Sequence, residues 1–545
     1  MAVMGNGSGR LELTWSNKDQ RLLAHDDVAY EWVDPSDWRV SEVRLLDEVA
    51  TYGESPQDNL LIEGDALHAL QALTSIPEYA ERYVGKVRLC YIDPPFNTGQ
   101  TFQQYDDNLE HSVWLTMLRD RLEQIHNLLA DDGSVWVHLD DAEQHRARCV
   151  LDEVFGAENF AGTVLWKRRN DPRNTAPFFS ADHDVIHVYV KDANKADFNQ
   201  LPRTAEMDAA YTNPDNDPRG PWRRGDLAAR NPYSKGLYPV TTPSGRVIDG
   251  PPSGSYWRVS AEELARLNAD GRIYWGVDGD TRPYLKRFIS EVSTGRVPST
   301  VWSPEEVGFV RNGKEEVRAL VGDVFATPKP ERLLERIVRI GSDPGDIVLD
   351  CYGGSATTAA VAHKMKRRWV TVELSGETVG KFVRPRLQKI IDGTDPGGIT
   401  DEAEWKKGGG YTESRVAPSM FEDVEGTIVL SDWATNGQLA EAVAAQLKFT
   451  TEADGPFVGR KGRTRLAVLD GMLTTGIAEY LAGQLEDKEN VVVIAMTLEE
   501  GVAEHLRALR PGSRARKVPR DLARPGKLPP RLVRIERTTN GEQDR

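Results

Sequence analysis

Apolar positions fall into two alternating patterns over residues 59–141 and again over 329–374. NLLIEGDALHAL (59–70) sets a short apolar run before a Gly-Asp turn and then spaces its apolar residues three and four apart, as a strand entering an amphipathic helix would. KVRLCYI (86–92) has strand length. WLTMLRDRLEQIHNLLADDG (114–133) has helical spacing and a DDG stop, and SVWVHLDD (134–141) reads as another strand. KPERLLERIVRIG (329–341) predicts a helix, and DIVLDCYGGSATTAAVAHKMKRRWVTVEL (346–374) predicts strand, Gly-rich turn, helix and strand. Such alternation builds a parallel α/β sheet.

Between the two regions the pattern dissolves, and Pro, Gly, Asn, Arg and aromatic residues dominate from about 160 to 320. Trp166, Trp222, Trp257, Trp275 and Trp302 lie there, and disordered segments are poor in aromatic rings, so an ordered, loop-rich insert with short strands is expected. After KKGGG (406–410), TIVLSDW, TRLAVLDG and NVVVIAMT are strand candidates, with a helix expected from Thr497 to Leu509. Five segments result: an extension over 1–55 wrapped on a later domain, α/β parts over 56–160 and 321–400 around an insert over 161–320, and a small α/β domain over 411–545.

Composition changes this picture in three ways. A net charge of -16 argues alone against nucleic-acid binding, yet Arg and Lys gather in WKRRNDPR (166–173), in RGPWRRGDLAAR (219–230) and beyond Arg514, so the average conceals basic patches. Three scattered cysteines without a CxxC pattern suggest neither a disulfide framework nor a metal site. No apolar run approaches the roughly 18 residues a membrane span requires, and the N-terminus lacks an apolar h-region, so a cytoplasmic location away from membranes is expected.

Two motifs carry chemistry. In DCYGGSATT (350–358) two glycines after a strand admit close ligand approach. Ser355, Thr357 and Thr358 can cap the next helix, and Glu373 closes the following strand where an acid commonly holds ribose hydroxyls. This reads either as a nucleoside-cofactor loop or as a tight turn beside a surface glutamate; it is neither GxGxxG nor GxxxxGK[ST], which disfavours nicotinamide cofactors and ATP. DPPF (93–96) reads either as a rigid strand-terminating turn or as an amine site. A carboxylate and a fixed backbone carbonyl would accept the two N–H groups of an exocyclic amine, and a ring would stack on its base.

Together these motifs resemble the β-class amino-methylating DNA methyltransferases, and most closely the modification (Mod) subunits of type III restriction systems. GDALHAL, YIDPPFNTG, WLTMLRDRL, DDGSVWVHLDD, WKRRN, FSADHDVIHVY, TPKPERLLERIV and DCYGGSATT fall in that family's order across residues 10–395. The resemblance implies a Rossmann-like S-adenosylmethionine-dependent methyltransferase sheet with a target-recognition insert and a C-terminal accessory domain. It implies methyl transfer to adenine N6 of flipped bases in double-stranded DNA, a homodimer, and a restriction or phage-defence partner. Asp93 and Pro94 would accept from the amine, Pro95 would stiffen the corner, and Phe96 would stack on the base. Asp350, Tyr352, Gly354 and Ser355, with Lys329 nearby, would line the methionine end of the cofactor, Glu373 its ribose and Asp65 its adenine side. Arg168, Arg169, Arg173, Arg223 and Arg224 would contact DNA, Trp166 and Trp222 would pack or stack, and His183 would be structural or pocket-lining.

N4-cytosine methylation uses the same geometry and remains open, as does a specificity subunit with lost catalysis; C5 methylation is excluded because no cysteine follows a proline. The family's usual loop is D-x-F-x-G-S-G-T-T. Tyr352 stands here for Phe and Ala356 for the second Gly, so a positive φ at 356 would cost about 1 kcal/mol or shift the loop.

Overall fold

Ten strands form one mixed sheet: β1 (Leu46–Gly53), β2 (Leu60–Glu63), β3 (Val87–Ile92), β4 (Leu129–Leu139), β5 (Phe160–Lys167), β6 (His183–Val190), β7 (Val301–Trp302), β8 (Ile347–Asp350), β9 (Arg368–Glu373) and β10 (Gly410–Val416). The spatial order is β7-β5-β6-β4-β3-β8-β9-β2-β10-β1. The six neighbours from β4 to β10 run parallel, whereas β6 opposes β4, β5 opposes β6 and β1 opposes β10. The computed structural model describes residues 12–24, 30–97, 109–170, 178–293, 295–424, 427–434, 438–523 and the backbone of 531–533. Arg173, the Thr-Gly end of DPPFNTG and the part of the arginine-rich tail beyond 523, apart from the backbone of 531–533, lie outside them.

The central strands read as near-continuous apolar runs because both faces are covered. Every residue of VRLCYI except Arg88 is buried, as is all of IVLD. Helices α1 (Ala66–Ser75), α2 (His111–Leu128), α3 (Gln144–Phe155), α4 (Glu331–Gly341) and α5 (Thr357–Lys364) supply that cover. Leu70, Leu73, Leu118, Leu122 and Leu151 from α1 to α3 share one core with Cys90, Ile92, Val135 and Leu349 of the sheet. The extension joins this unit: β1 pairs along β10, and Trp15 Nε1 donates to Thr116 Oγ1 of α2 at 2.8 Å.

The chain divides into two units, Met1–Asn199 with Ser299–Arg545, and Gln200–Pro298. Residues 161–199 and 299–320, grouped with the insert by composition, therefore belong to the first unit; β5, β6 and β7 are strands of the large sheet. Composition shifts at the start of a polar hairpin, before the chain leaves the sheet. The second unit has its own core of Leu227, Val240, Trp257, Leu264, Ile273 and Trp275, around short strand pairs. In the C-terminal segment five strands pair in chain order, Thr450–Asp454, Phe457–Lys461, Thr464–Leu473, Asn490–Leu498 and Arg514–Lys517. Its last helix begins at Val502, not Thr497. Thr497 and Leu498 complete the preceding strand, and Gly501 turns the chain at a φ of 79°.

Behind the sheet's working edge, α4 opens on a buried charge cluster. Glu331 accepts from Lys364 Nζ at 2.7 Å and from Arg386 Nη2 at 2.8 Å, and Lys364 also pairs with buried Asp395. Arg386 continues to the Ser355 carbonyl at 3.0 Å and Thr357 Oγ1 at 3.0 Å, so the cluster braces the start of α5. Removing one member leaves uncompensated buried charge. Lys364→Met is expected to lower unfolding stability by about 3–5 kcal/mol, read as a drop in the urea midpoint; an unchanged midpoint would show the cluster to be dispensable.

Candidate active site

In open α/β sheets ligands gather beyond the carboxyl ends of the strands. β3, β8, β9 and β2 are successive neighbours, so Asp93, the 350–355 loop, Glu373 and Asp65 emerge side by side. The two segments that the sequence keeps far apart become one site.

Asp93 follows directly on β3. The two prolines fix their own φ, and Pro95 O accepts from Trp114 Nε1 of α2 at 2.7 Å, which pins the corner from outside. Asn97 adopts a φ of 61°, a left-handed conformation that asparagine tolerates; its Nδ2 donates to buried Glu143 at 2.8 Å and its Oδ1 accepts from Leu109 N at 2.6 Å. Asp93 Oδ2 pairs with the Lys329 ammonium. Its Oδ1 is buried with no hydrogen-bond partner among the described residues. An unpaired buried acceptor costs about 1–3 kcal/mol, so this oxygen is poised for a donor from a ligand.

Phe96 is half-buried beside the same groups. The His138 ring lies 5.9 Å from it at 28°, and Lys329 Nζ lies 5.0 Å from its centroid. Burial first, and then the Lys329 charge, hold the His138 imidazole below its ordinary pKa. A neutral ring fits its partners: Nε2 faces Asp184 Oδ2 at 3.2 Å as donor, and Nδ1 accepts from Tyr91 OH at 2.8 Å. Burial raises Asp184, but the hydrogen bond from His138 and the charges of Arg168, at 2.9 Å, and Lys329 outweigh it and leave its pKa lowered.

The glycine loop is built for close approach. Gly353 N donates to Val372 O at 2.8 Å, and a Cβ there would sit 2.6 Å from Thr371 Oγ1. Gly354, at a φ of 52°, donates to Glu373 Oε2 at 2.8 Å. Ala356 is buried at a φ of 60° and starts α5, so the alanine keeps the left-handed conformation at a cost of about 1 kcal/mol rather than shifting the loop. Asp350 accepts from Tyr352 N at 3.0 Å and Thr358 Oγ1 at 2.5 Å. Burial pushes its pKa up to about 7, with Asp93 and Glu373 adding to the rise against those two hydrogen bonds.

The other expected cofactor residues divide. Glu373 takes Gly354 N and Ser375 N (2.9 Å), one on each oxygen, leaving an acceptor lone pair on each. Asp65 caps α1 through Leu67 N at 2.7 Å and pairs with Arg121 at 2.9 Å. The Tyr352 hydroxyl is buried with no hydrogen-bond partner among the described residues. Ser355, by contrast, is buried against Thr357 and Arg386, on the brace of the loop. Lys329 sits on Asp93 and Phe96. A tight glycine loop, the orphaned Tyr352 hydroxyl and a closing acid fit a nucleoside cofactor such as S-adenosylmethionine.

Of the arginines expected on DNA, Arg168 is held by Asp184, and Arg169 is half-buried. In the second unit Arg223 and Arg224 are exposed on one strand, over Tyr211 at 5.4 Å and Tyr274 at 5.2 Å, and successive positions of a strand face opposite sides. Trp166 and Trp222 are fully buried and pack. His183 opens β6, and no cluster of metal-ligating side chains occurs among the described residues. Sequence reasoning missed His138, Asp184, Tyr91 and Arg121. The first two lie inside the quoted HLDD and HDV stretches, but nothing in their spacing announces a mutual contact.

The DNA methylase family matches residues 87–383, more than half of the chain. The StyLTI Mod subunit of a type III restriction-modification enzyme from Salmonella typhimurium is 30% identical over 334 residues, 55% of this chain and 49% of that one. The probable type III HindVI Mod subunit of Haemophilus influenzae is 28% identical over 480 residues, 74% of this chain and 61% of that one. The type II methyltransferase M1.MboII of Moraxella bovis is 49% identical over 330 residues, 60% of this chain and 99% of that one. This chain thus spans about half to three fifths of the length of the two Mod subunits. With the Asp-Pro-Pro-Phe corner and the glycine loop at one sheet edge inside the matched span, the chain belongs to the DNA methylase family.

Proposed function

We propose that this protein methylates adenine N6 in double-stranded DNA, using S-adenosylmethionine, as the modification part of a restriction or phage-defence system in the cytoplasm. The observation that carries this reading is Asp93 Oδ1, a buried acceptor without a partner beside the Phe96 ring and one strand from the glycine loop. An exocyclic amine is a weak nucleophile because its lone pair is delocalised into the base. Asp93 Oδ1 and the Pro94 carbonyl would accept its two N–H groups and localise that lone pair as the bond to the methyl carbon forms. Lys329 orients the carboxylate by holding Oδ2, which leaves Oδ1 to the amine. The proton shed by the methylated nitrogen passes to Asp93. When bound, the cofactor supplies an activated methyl on a sulfonium.

His138 backs the Phe96 ring from a position fixed by Tyr91 and Asp184, so the platform for the base is set before substrate arrives. Glu373 would take the ribose hydroxyls on its remaining lone pairs, and Gly353 holds the loop tight against β9, where a Cβ would meet Thr371 Oγ1. Cytosine N4 offers the same pair of N–H groups; adenine is favoured by the resemblance of DPPFNTG to the adenine enzymes. A pair of chains, one reading DNA while the other presents its methyl site, and a restriction partner complete the reading. The retained left-handed Ala356 supports a working cofactor loop over a vestigial one.

Tritiated methyl transfer to mixed plasmid DNA tests the activity, and sequencing of the modified DNA identifies the base. Asp93→Ala is expected to lower the transfer rate by about 10²–10³ or more, the scale of losing a preorganised polar contact to the reacting group, with cofactor binding retained. A folded wild-type protein that transfers no methyl would refute the reading.

Asp350 gives a pH dependence. Its raised pKa, about 7, means that it holds a proton below neutrality in the free protein, and a cationic ligand nearby favours the ionised form. Cofactor affinity, measured by calorimetry, is therefore expected to rise with pH up to about 7 and level off above, by at most about tenfold per pH unit. Asp350→Asn should flatten that rise; a slope unchanged by the substitution would assign the titration elsewhere.

A further inference from the structure

Phe178 and Phe179 are 90% and 92% exposed, and no other adjacent pair of large apolar side chains among the described residues is so open to solvent. Single exposed apolar residues need no explanation, but a contiguous aromatic pair held in water does. The pair lies on the hairpin loop between β5, which ends at Lys167, and β6, which begins at His183.

Topology fixes where that loop points. β4 runs parallel to β3, with Ile92 opposite Val137, and β6 runs against β4, with Leu139 opposite Val185. The start of β6 and the end of β5 therefore project beyond the same edge from which Asp93 emerges. The foot of the hairpin is tied to the site itself. Arg168 N donates to Asp182 O at 2.9 Å, its guanidinium bonds Asp184 at 2.9 Å, and Asp184 holds the His138 ring that stacks on Phe96. Lys167 is exposed at the same end of the hairpin and places a positive charge there, suited to a polyanion.

From this placement we propose that Phe178 and Phe179 form an apolar wedge that enters the base stack of duplex DNA and occupies the space left as the target base turns out toward Phe96. The proposal rests on the reading of the site as a DNA methyltransferase. Extruding a base costs unstacking and unpairing free energy, and aromatic side chains placed between base steps offset such costs by restoring stacking contacts. Two rings kept in water in the free protein regain apolar contact only when the duplex opens. Arg168 acts here as the brace of the hairpin, since its guanidinium is committed to Asp184.

The test uses the full-length protein and two duplexes carrying the site identified by sequencing its methylated DNA, one fully paired and one with a mismatch at the target base. On paired DNA, F178A/F179A is expected to lower kcat/KM for methyl transfer by about ten- to a hundredfold, the range that loss of part of the unstacking contribution produces. On mismatched DNA, where opening is already cheap, the loss should shrink to within about threefold. 2-Aminopurine placed at the target position should brighten with the wild type and stay dim with the variant at saturating protein, and Phe178→Leu/Phe179→Leu should restore much of the signal. Equal losses on both duplexes would reduce the pair to a general DNA contact or a protein docking patch, and an unchanged rate would leave it without this role; either overturns the wedge. Wild-type protein inactive on both duplexes would instead sink the methyltransferase reading, and the wedge with it.

Discussion

The parallel pairing of β3 with β8 is the constraint on which the site depends. Leu89 lies opposite Val348 and Cys90 opposite Leu349, so the strands end together and release Asp93 and the glycine loop at one edge. Between them in the chain β4 to β7 join the same sheet, and the whole Gln200–Pro298 unit leaves it and returns without disturbing that register. Slippage by one residue would exchange Cys90 and Ile92 with Leu89 and Tyr91 between two packed faces, so the shapes that fill those faces also fix how Asp93 and the loop emerge.

The same economy appears around α4. Lys329 reaches Asp93 and Phe96 at the working edge, and two positions on Glu331 turns inward to Lys364 and Arg386, whose guanidinium holds the Ser355 carbonyl. One short segment thus touches both Asp93 and the support of the 350–355 loop. The buried cluster contributes little net stability by itself, because desolvation offsets attraction, but it fixes where that segment starts relative to α5.

Much of this was legible in the sequence, for physical reasons. Most strand, helix and turn assignments over 59–141 and 329–374 held because hydrophobic period and capping chemistry are local, and Asp65 caps α1 directly; the DDG stop did not, since residues 129–133 already belong to β4. The edges of the insert were less legible, since β5 and β6 carry polar ends and their membership of the large sheet is a long-range fact. Trp166 and Trp222, expected to pack or stack, are buried although they sit in Arg-rich stretches. His138 and Asp184 escaped notice because their contact joins two strands that approach only in the folded sheet. Ser355, expected on the ligand side by motif position, is buried against Thr357 and Arg386, and the latter comes from a later helix that motif position does not announce.

Ala356 shows how far local cost can be tolerated. A left-handed alanine is unfavourable by about 1 kcal/mol, yet the residue is pinned by Ala356 N donating to Gly353 O at 2.7 Å and by Ala360 N donating to its own carbonyl at 3.0 Å. Its methyl is fully buried, which returns about 0.8 kcal/mol through apolar area. The two quantities nearly cancel, so the conformation of the loop survives the loss of glycine. A motif written as a string of residue types treats that position as broken. Counted as free energies, the backbone strain, the two hydrogen bonds and the buried methyl leave the loop intact, and the demand for glycine falls on Gly353, where a Cβ would meet Thr371 Oγ1 at 2.6 Å.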